Sequence, residues 1–252
     1  MTRKLLLTFL FCLTLELVYS QNSRITDHNR IGWYVLNTNI KLDDKWSVAS
    51  EFQWRRDKTI SEPMQNLFRT GLNLKVNPKL GIRAGYALAE TYHYGDIPVN
   101  NLGRQFTEHR TWQMVNLSDK IKTFEFNHRF MLEQRWIGKY TNNSIQKEDQ
   151  FIYANRLRYM FRMQVPFKGD AISDKVPYAA LYNEILIGFG KNVNENVFDQ
   201  NRLGVLLGYR FSELFRVEGG FLNQIAQLSR EVNGNNVFQN NKGIILSTFI
   251  NL

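Results

Sequence analysis

The chain has 252 residues, a formal net charge of +9, 43% hydrophobic and 22% charged residues, and one Cys. The hydrophobic share excludes a disordered chain, and the lone Cys excludes a disulfide scaffold or a Cys-based zinc site. Past the first 20 residues no apolar run approaches the roughly 18 residues of a membrane helix, which excludes a helical membrane protein. Yet the chain holds 18 Phe, 11 Tyr and 5 Trp at a mean hydropathy of −0.37. A membrane β-barrel produces that combination, because polar and apolar residues alternate along its strands and cancel in the average.

In chain order, the first element is a targeting segment. Arg3 and Lys4 give a basic start, Leu5 to Leu17 is an apolar stretch broken by Glu16, and Val18-Tyr19-Ser20 ends on a small residue. This predicts a secretory signal peptide over 1–20, cut after Ser20 to leave Gln21 first. Cys12 lies mid-stretch after Leu10-Phe11, which argues against a lipid acceptor. The mature chain, 21–252, is then a single Cys-free domain with a net charge of +8, since Arg3, Lys4 and Glu16 leave with the segment.

From there on, period-two alternation runs almost to the end. It predicts strands near 31–42, 46–56, 66–76, 80–92, 104–117, 121–137, 149–165, 176–190, 200–211, 215–227 and 240–251. Most are longer than the 5–6 residues of a mean soluble strand and match the ~9–11 of a membrane-crossing one. A turn recurs: Leu42-Asp43-Asp44-Lys45-Trp46, Val76-Asn77-Pro78-Lys79-Leu80, Leu117-Ser118-Asp119-Lys120-Ile121, Ile172-Ser173-Asp174-Lys175-Val176 and, more loosely, Phe211-Ser212-Glu213-Leu214-Phe215. Each sets three turn residues between apolar ones. Longer polar connections at 57–65, 93–103, 138–148, 191–199 and 228–239 alternate with them. Short turns on one side and longer loops on the other are the layout of an outer-membrane barrel. The expected fold class is therefore all-β: an antiparallel transmembrane barrel of 10–12 strands, with short periplasmic turns and longer outer loops. An even number is the usual one for single-chain bacterial barrels.

Three-residue turns pair Ile40 with Val48, Leu36 with Phe52, Tyr34 with Trp54, Val76 with Leu80, Leu74 with Ile82, Phe68 with Leu88, Tyr209 with Val217 and Val205 with Phe221. The same rule pairs Met114 with Phe124, Trp112 with Phe126 and Phe106 with Leu132. Face matching of this kind sets register and yields one apolar face. Trp46, Trp54, Trp112 and Trp136 lie towards strand ends and are expected in interface girdles. The opposite face is expected to line the lumen, with Glu51, Arg55, Arg69, Arg83, Glu125, Arg129, Glu133, Arg135, Arg156, Arg158, Arg162, Arg210, Arg216 and Glu218. Asn73, Lys75, Asn127, Arg202 and the small residues Ala49, Gly71, Gly81, Gly85 and Gly208 share it. Glu108, Arg110 and Glu184 break the outward apolar pattern of 104–117 and 176–190.

Catalytic and metal motifs are not found. His28, His93, His109 and His128 have no metal-motif spacing, no G-x-S-x-G elbow occurs, and no phosphate loop or dinucleotide fingerprint calls for a cofactor. The Arg residues alternate with lipid-type residues instead of clustering with stacking aromatics, which argues against nucleic acid. Outer-membrane lipid and lipopolysaccharide are the expected partners. The inward Arg/Glu set fits either a filled, salt-bridged lumen or a basic constriction that selects small anionic solutes.

The residues also carry a resemblance. Trp33 with Lys41-Leu42-Asp43-Asp44-Lys45-Trp46, then Glu51-Phe52-Gln53-Trp54-Arg55, Leu132-Glu133-Gln134-Arg135-Trp136, Asn155-Arg156-Leu157-Arg158-Tyr159 and Tyr182-Asn183-Glu184-Ile185 resemble, in order, the outer-membrane barrels grouped as domain of unknown function 2490. The resemblance spans essentially all of 21–252. It implies a barrel and export, with no established activity to carry over. The expectation is a non-enzymatic outer-membrane barrel of a Gram-negative-type envelope, structural or a small porin-like pore with a basic lumen. The alternatives are a barrel enzyme acting on lipid or lipopolysaccharide, marked by a Ser–His pair at the rim, and a soluble periplasmic barrel binding an apolar ligand, marked by an apolar interior.

Overall fold

The computed structural model describes residues 24–100, 102–193 and 197–252. The predicted signal peptide over 1–20 lies outside the described residues. Eleven strands follow one another: β1 Arg24–Lys41, β2 Trp46–Asp57, β3 Glu62–Asn77, β4 Leu80–Thr91, β5 Phe106–Ile121, β6 Phe124–Lys139, β7 Gln150–Pro166, β8 Val176–Phe189, β9 Phe198–Arg210, β10 Phe215–Val232 and β11 Asn235–Asn251. They form one closed barrel in which every neighbour in sequence is a neighbour in the wall. All those pairs are antiparallel. An odd number leaves the first and last strands running the same way, so the seam between β1 and β11 is parallel, from Arg24↔Asn236 to Asn39↔Asn251. Closure removes the two free edges that an open sheet would expose.

The short turns have a shared chemistry. The Asp43 side chain accepts the backbone N–H groups of Lys45 and Trp46 at 2.7 Å, and Asn77 accepts those of Lys79 and Leu80 at 2.8 and 2.9 Å. These bonds tie each turn to itself and hold the Asp43 carboxyl below the usual carboxylate range. The predicted pairs of the first hairpin, Ile40↔Val48, Leu36↔Phe52 and Tyr34↔Trp54, occur in the wall. So do Leu74↔Ile82 and Phe68↔Leu88, and Tyr209↔Val217 and Val205↔Phe221. Val76 is passed over by a bulge, leaving Asn77 opposite Leu80.

The third hairpin departs from the expected register. β5 runs straight through Ser118-Asp119-Lys120, and the turn is the two residues Lys122-Thr123, with Lys122 in the left-handed region at φ 55°. Ile121 therefore faces Phe124, Met114 faces Met131 and Trp112 faces Glu133, not Phe124 and Phe126. The shift is odd, so it turns every side chain of β5 to the other face. Trp112 is 1% exposed inside the barrel and belongs to no girdle. Glu108 and Arg110 point inward, as does Glu184 of β8. A second correction falls at 228–239, expected as a loop. β10 and β11 run through it and join at Asn233-Gly234, both at positive φ (52° and 72°), the backbone a tight hairpin demands.

The outward face carries Leu36, Phe52, Phe68, Leu88, Phe130, Leu157, Val205, Leu207, Phe221 and Ile244, all exposed. Trp46, Trp54 and Trp136 lie on it. Trp54 packs on Tyr34 and Trp136 on Tyr153, each with ring centroids 5.4 Å apart.

Aromatic side chains that turn inward need room, and glycines on neighbouring strands supply it. A Cβ on Gly71 or Gly85 would come within 2.7 Å of the Trp112 ring, and one on Gly204 or Gly208 within 2.1–2.2 Å of Tyr182 or Tyr178. Tyr178 is fully buried and cannot swing aside. Gly208→Ala should therefore lower stability by about 1–3 kcal/mol through overpacking. Gly219→Ala, whose Cβ would find Leu246 at an ordinary 3.5 Å, should leave it unchanged or slightly raised. Urea midpoints of the two variants, read by loss of the compact band on a detergent gel, check the contrast.

Candidate functional site in the barrel lumen

Ion pairs between strands that are not neighbours identify the inner face. Arg129 of β6 reaches Glu184 of β8 at 2.7 Å, Arg156 of β7 reaches Asp199 of β9 at 2.7 Å, and Arg162 of β7 reaches Glu218 of β10 at 2.6 Å. Only side chains crossing the lumen can do this.

At the middle these pairs fuse into a layer. Arg158 bridges Glu133 at 2.9 Å and Glu184 at 2.7 Å. Glu133 also holds Arg156 at 2.6 Å. Glu184 also holds Arg129 at 2.7 Å and Arg202 at 3.2 Å. One carboxylate thus serves three guanidiniums and is itself 2% exposed. Beside it, Glu108 takes Arg110 at 2.7 Å and pairs with Arg135. Trp33 lies between two cations, with Arg55 3.9 Å and Arg202 5.1 Å from its ring centre. Among the described residues Arg55 pairs with no carboxylate; its donors go to Gln53 and, at 2.8 Å, Gln65. Cation–π stacking of a desolvated guanidinium contributes about 2 kcal/mol and takes the place of the missing counter-charge.

The two ends of the lumen differ. At the turn end, two adjoining cavities of about 540 and 600 Å³ reach down to Glu51, Arg69 and Arg129. At the loop end lies a smaller cavity of about 160 Å³, and Arg202 lines both that space and the larger cavity below. The described residues of the connection 92–105 fold over this mouth. Tyr94 donates to Gln239 at 2.6 Å. The Asp27 carboxylate accepts the backbone N–H groups of Asp96 and Ile97 at 3.4 Å. Gly95, at φ +71°, comes so close that a Cβ would sit 2.4 Å from Asp27. The loop thereby spans from β4 to β1 and β11.

All fourteen residues predicted to line the lumen lie at inward positions. Glu51 pairs with Arg69 at 2.7 Å, Glu125 accepts from Gln164 at 2.7 Å, and Arg210 reaches Asp174 at the rim at 2.9 Å. Arg216 stacks on Phe249 at 4.1 Å. The sequence reading left out Glu108, Arg110, Glu184 and Asp199, four charges that complete the network. Three of them were visible as breaks in a supposedly outward face. Asp199 reaches inward because a register shift sits between its strand and β8.

A family model described as Protein of unknown function (DUF2490) matches residues 31–235. The chain belongs to that family. No curated protein and no solved structure matches it. The DUF2490 match starts at Ile31 in β1 and ends at Asn235, where β11 begins, so it takes in the whole ionic layer.

Breaking a buried pair from one side strands the other charge, at about 3–5 kcal/mol. Glu184→Gln keeps the volume but leaves three guanidiniums sharing no anion at that point, and should destabilise this DUF2490 barrel by that amount. Glu125→Gln, which loses only a contact with an amide, should cost less than about 1 kcal/mol. Chemical denaturation of the two refolded variants measures the difference.

Proposed function

We propose that this protein is a non-enzymatic outer-membrane β-barrel whose lumen is closed in its resting form. The single observation that carries this reading is the inversion of polarity across one wall. Aromatic and aliphatic side chains stand outward and exposed while buried Arg–Glu pairs fill the inside. Water-soluble barrels bury their apolar face; the reverse arrangement suits a lipid solvent. It also argues against a soluble barrel with an apolar pocket, since the interior is ionic. His109 and His128 face outward and bond Tyr86 and Tyr159, which supports a non-enzymatic role over a rim hydrolase.

Between the filled lumen and the open pore, the geometry favours filling. The Arg–Glu layer, the Trp33 stack and the 92–105 loop occupy the path in series. The purified protein should fractionate with outer membranes and run faster unheated than boiled on a detergent gel. In planar bilayers the folded barrel should show no steady conductance. Recovery in the soluble periplasm would remove the membrane reading, and a stable ohmic channel would remove the closed lumen.

Depth along the wall gives a sharper test. Val205 lies between Tyr209 and Leu203 in the outward row of β9, well inside the apolar band. Val205→Arg should cost about 2–4 kcal/mol in lipid vesicles. His28→Arg, outward at the loop end of β1, should cost about 0–1 kcal/mol. Equal costs for the two would contradict a bilayer around this band.

A further inference from the structure

The turn-end chamber of about 540 Å³ has an unbalanced charge. Arg69, Lys75, Lys79, Arg83, Arg129 and Arg216 line it against one carboxylate, Glu51, and Glu51 is already held by both of its oxygens to Arg69. Lys79 is paired with Asp119 at 2.8 Å, Arg129 with Glu184 and Arg216 with Glu218 at 3.9 Å. Arg83 and Lys75 make no ion pair among the described residues. Three N–H donors on lining residues are buried without an acceptor: Nε of Arg83, Nε of Arg129 and Nε1 of Trp112. Trp112 is 1% exposed, so its indole N–H cannot turn to solvent. Buried donors are almost always bonded, and those that are not mark a place where an acceptor belongs.

We infer that this chamber binds a small organic anion of the phosphate class, carrying about two negative charges. Two unpaired cations set the charge. Planar guanidinium donors suit phosphate oxygens, which they can grip by two parallel bonds. The volume falls in the range of small-molecule sites, well beyond an inorganic ion alone, and the partly exposed Phe249 and Ala49 offer apolar surface to the organic part. The chamber opens at the end where the short turns lie, so the ligand enters from that side and stops at the Arg–Glu layer. The Arg83 guanidinium sits in the field of Arg69 and Arg129, and an arriving dianion relieves that repulsion. The site needs no open lumen, and it stands or falls separately from the membrane assignment.

The test uses the full-length folded barrel in a zwitterionic detergent at slightly alkaline pH, titrated with phenyl phosphate, a dianion that carries an apolar ring, at constant ionic strength. Binding is followed by Trp fluorescence and calorimetry. Saturable one-to-one binding is expected, weakening as salt rises. Arg83→Gln should weaken it at least tenfold while leaving the ligand-free barrel as resistant to urea as before, because a half-buried charge with no ion-pair partner among the described residues is removed. Lys75→Gln, at an exposed position, should weaken binding several-fold with no effect on folding. Lys58→Gln, in the loop at the opposite end, should bind as the parent does. Absence of saturable binding would overturn the proposal, as would equal weakening by Lys58→Gln. An Arg83→Gln variant that loses stability yet keeps its affinity would show a purely structural arginine and would overturn it as well.

Discussion

The interior of this barrel turns on one carboxylate. Glu184 receives Arg129, Arg158 and Arg202 from three different strands, and Arg158 passes the connection on to Glu133 and Arg156. Taking each of these ions out of water costs several kcal/mol, recovered only when geometry and counter-charge are right. The wall must therefore place β6, β7, β8 and β9 in one register and no other. A slip of one residue on any of them would send its charges to the outer face and strand their partners within. The ionic layer thus does for specificity what an apolar core does in a soluble barrel, while most outward side chains are left free to be apolar.

Crowding follows from the same layer. Guanidiniums extended across the lumen leave little width for large aromatics, yet Trp112, Tyr178 and Tyr182 also turn inward. Each is admitted by a glycine on the adjoining strand, Gly85 beneath Trp112, Gly208 beneath Tyr178 and Gly204 beneath Tyr182, and Trp112 also by Gly71 one strand further on. Aromatic cover over strand glycine restores packing that glycine alone would forfeit. It also explains why small residues alternate with arginines on the inner face, a pattern that resembles a water-filled channel until the aromatic partners are placed.

Most of the wall was legible in the sequence because two independent signals agreed there. In the hairpins around 42–46, 76–80 and 211–215, turn chemistry and apolar face matching select the same register. The β5–β6 hairpin separates the two signals. Leu117-Ser118-Asp119-Lys120-Ile121 imitates the recurring turn, and Trp112 and Met114 imitate an outward face although they are inward. The true register was announced by Glu108 and Arg110, whose charges have no place in an apolar row. Asn233-Gly234 was hidden differently: its flanks are polar on both faces because the strands there extend past the apolar band, so alternation fades just where the turn signal is strongest. What no local pattern could show is the pairing across the lumen, since Arg129–Glu184 and Arg162–Glu218 depend on the curvature of the closed wall.

The parallel seam bears on the asymmetry of the two ends. With eleven strands, β1 and β11 both finish at the turn end, where Leu252 bonds the backbone of Lys41 and Asn39 at 2.7 and 2.8 Å. That rim is knit by backbone bonds and turn residues, and none of the described residues folds across it. At the other end β10 and β11 run on to Val232 and Asn235, and their inner residues, Gln239 and Asn241 with Asp27 of β1, form the polar bed on which the 92–105 loop lies. Closure by a parallel pair thus leaves a raised, hydrogen-bonding lip on one side and a low, open rim on the other. The lip holds a cap and the rim does not. A barrel covered at one mouth by the loop after β4, filled at its waist and with its larger cavities at the other end has the shape that the proposed closed lumen requires.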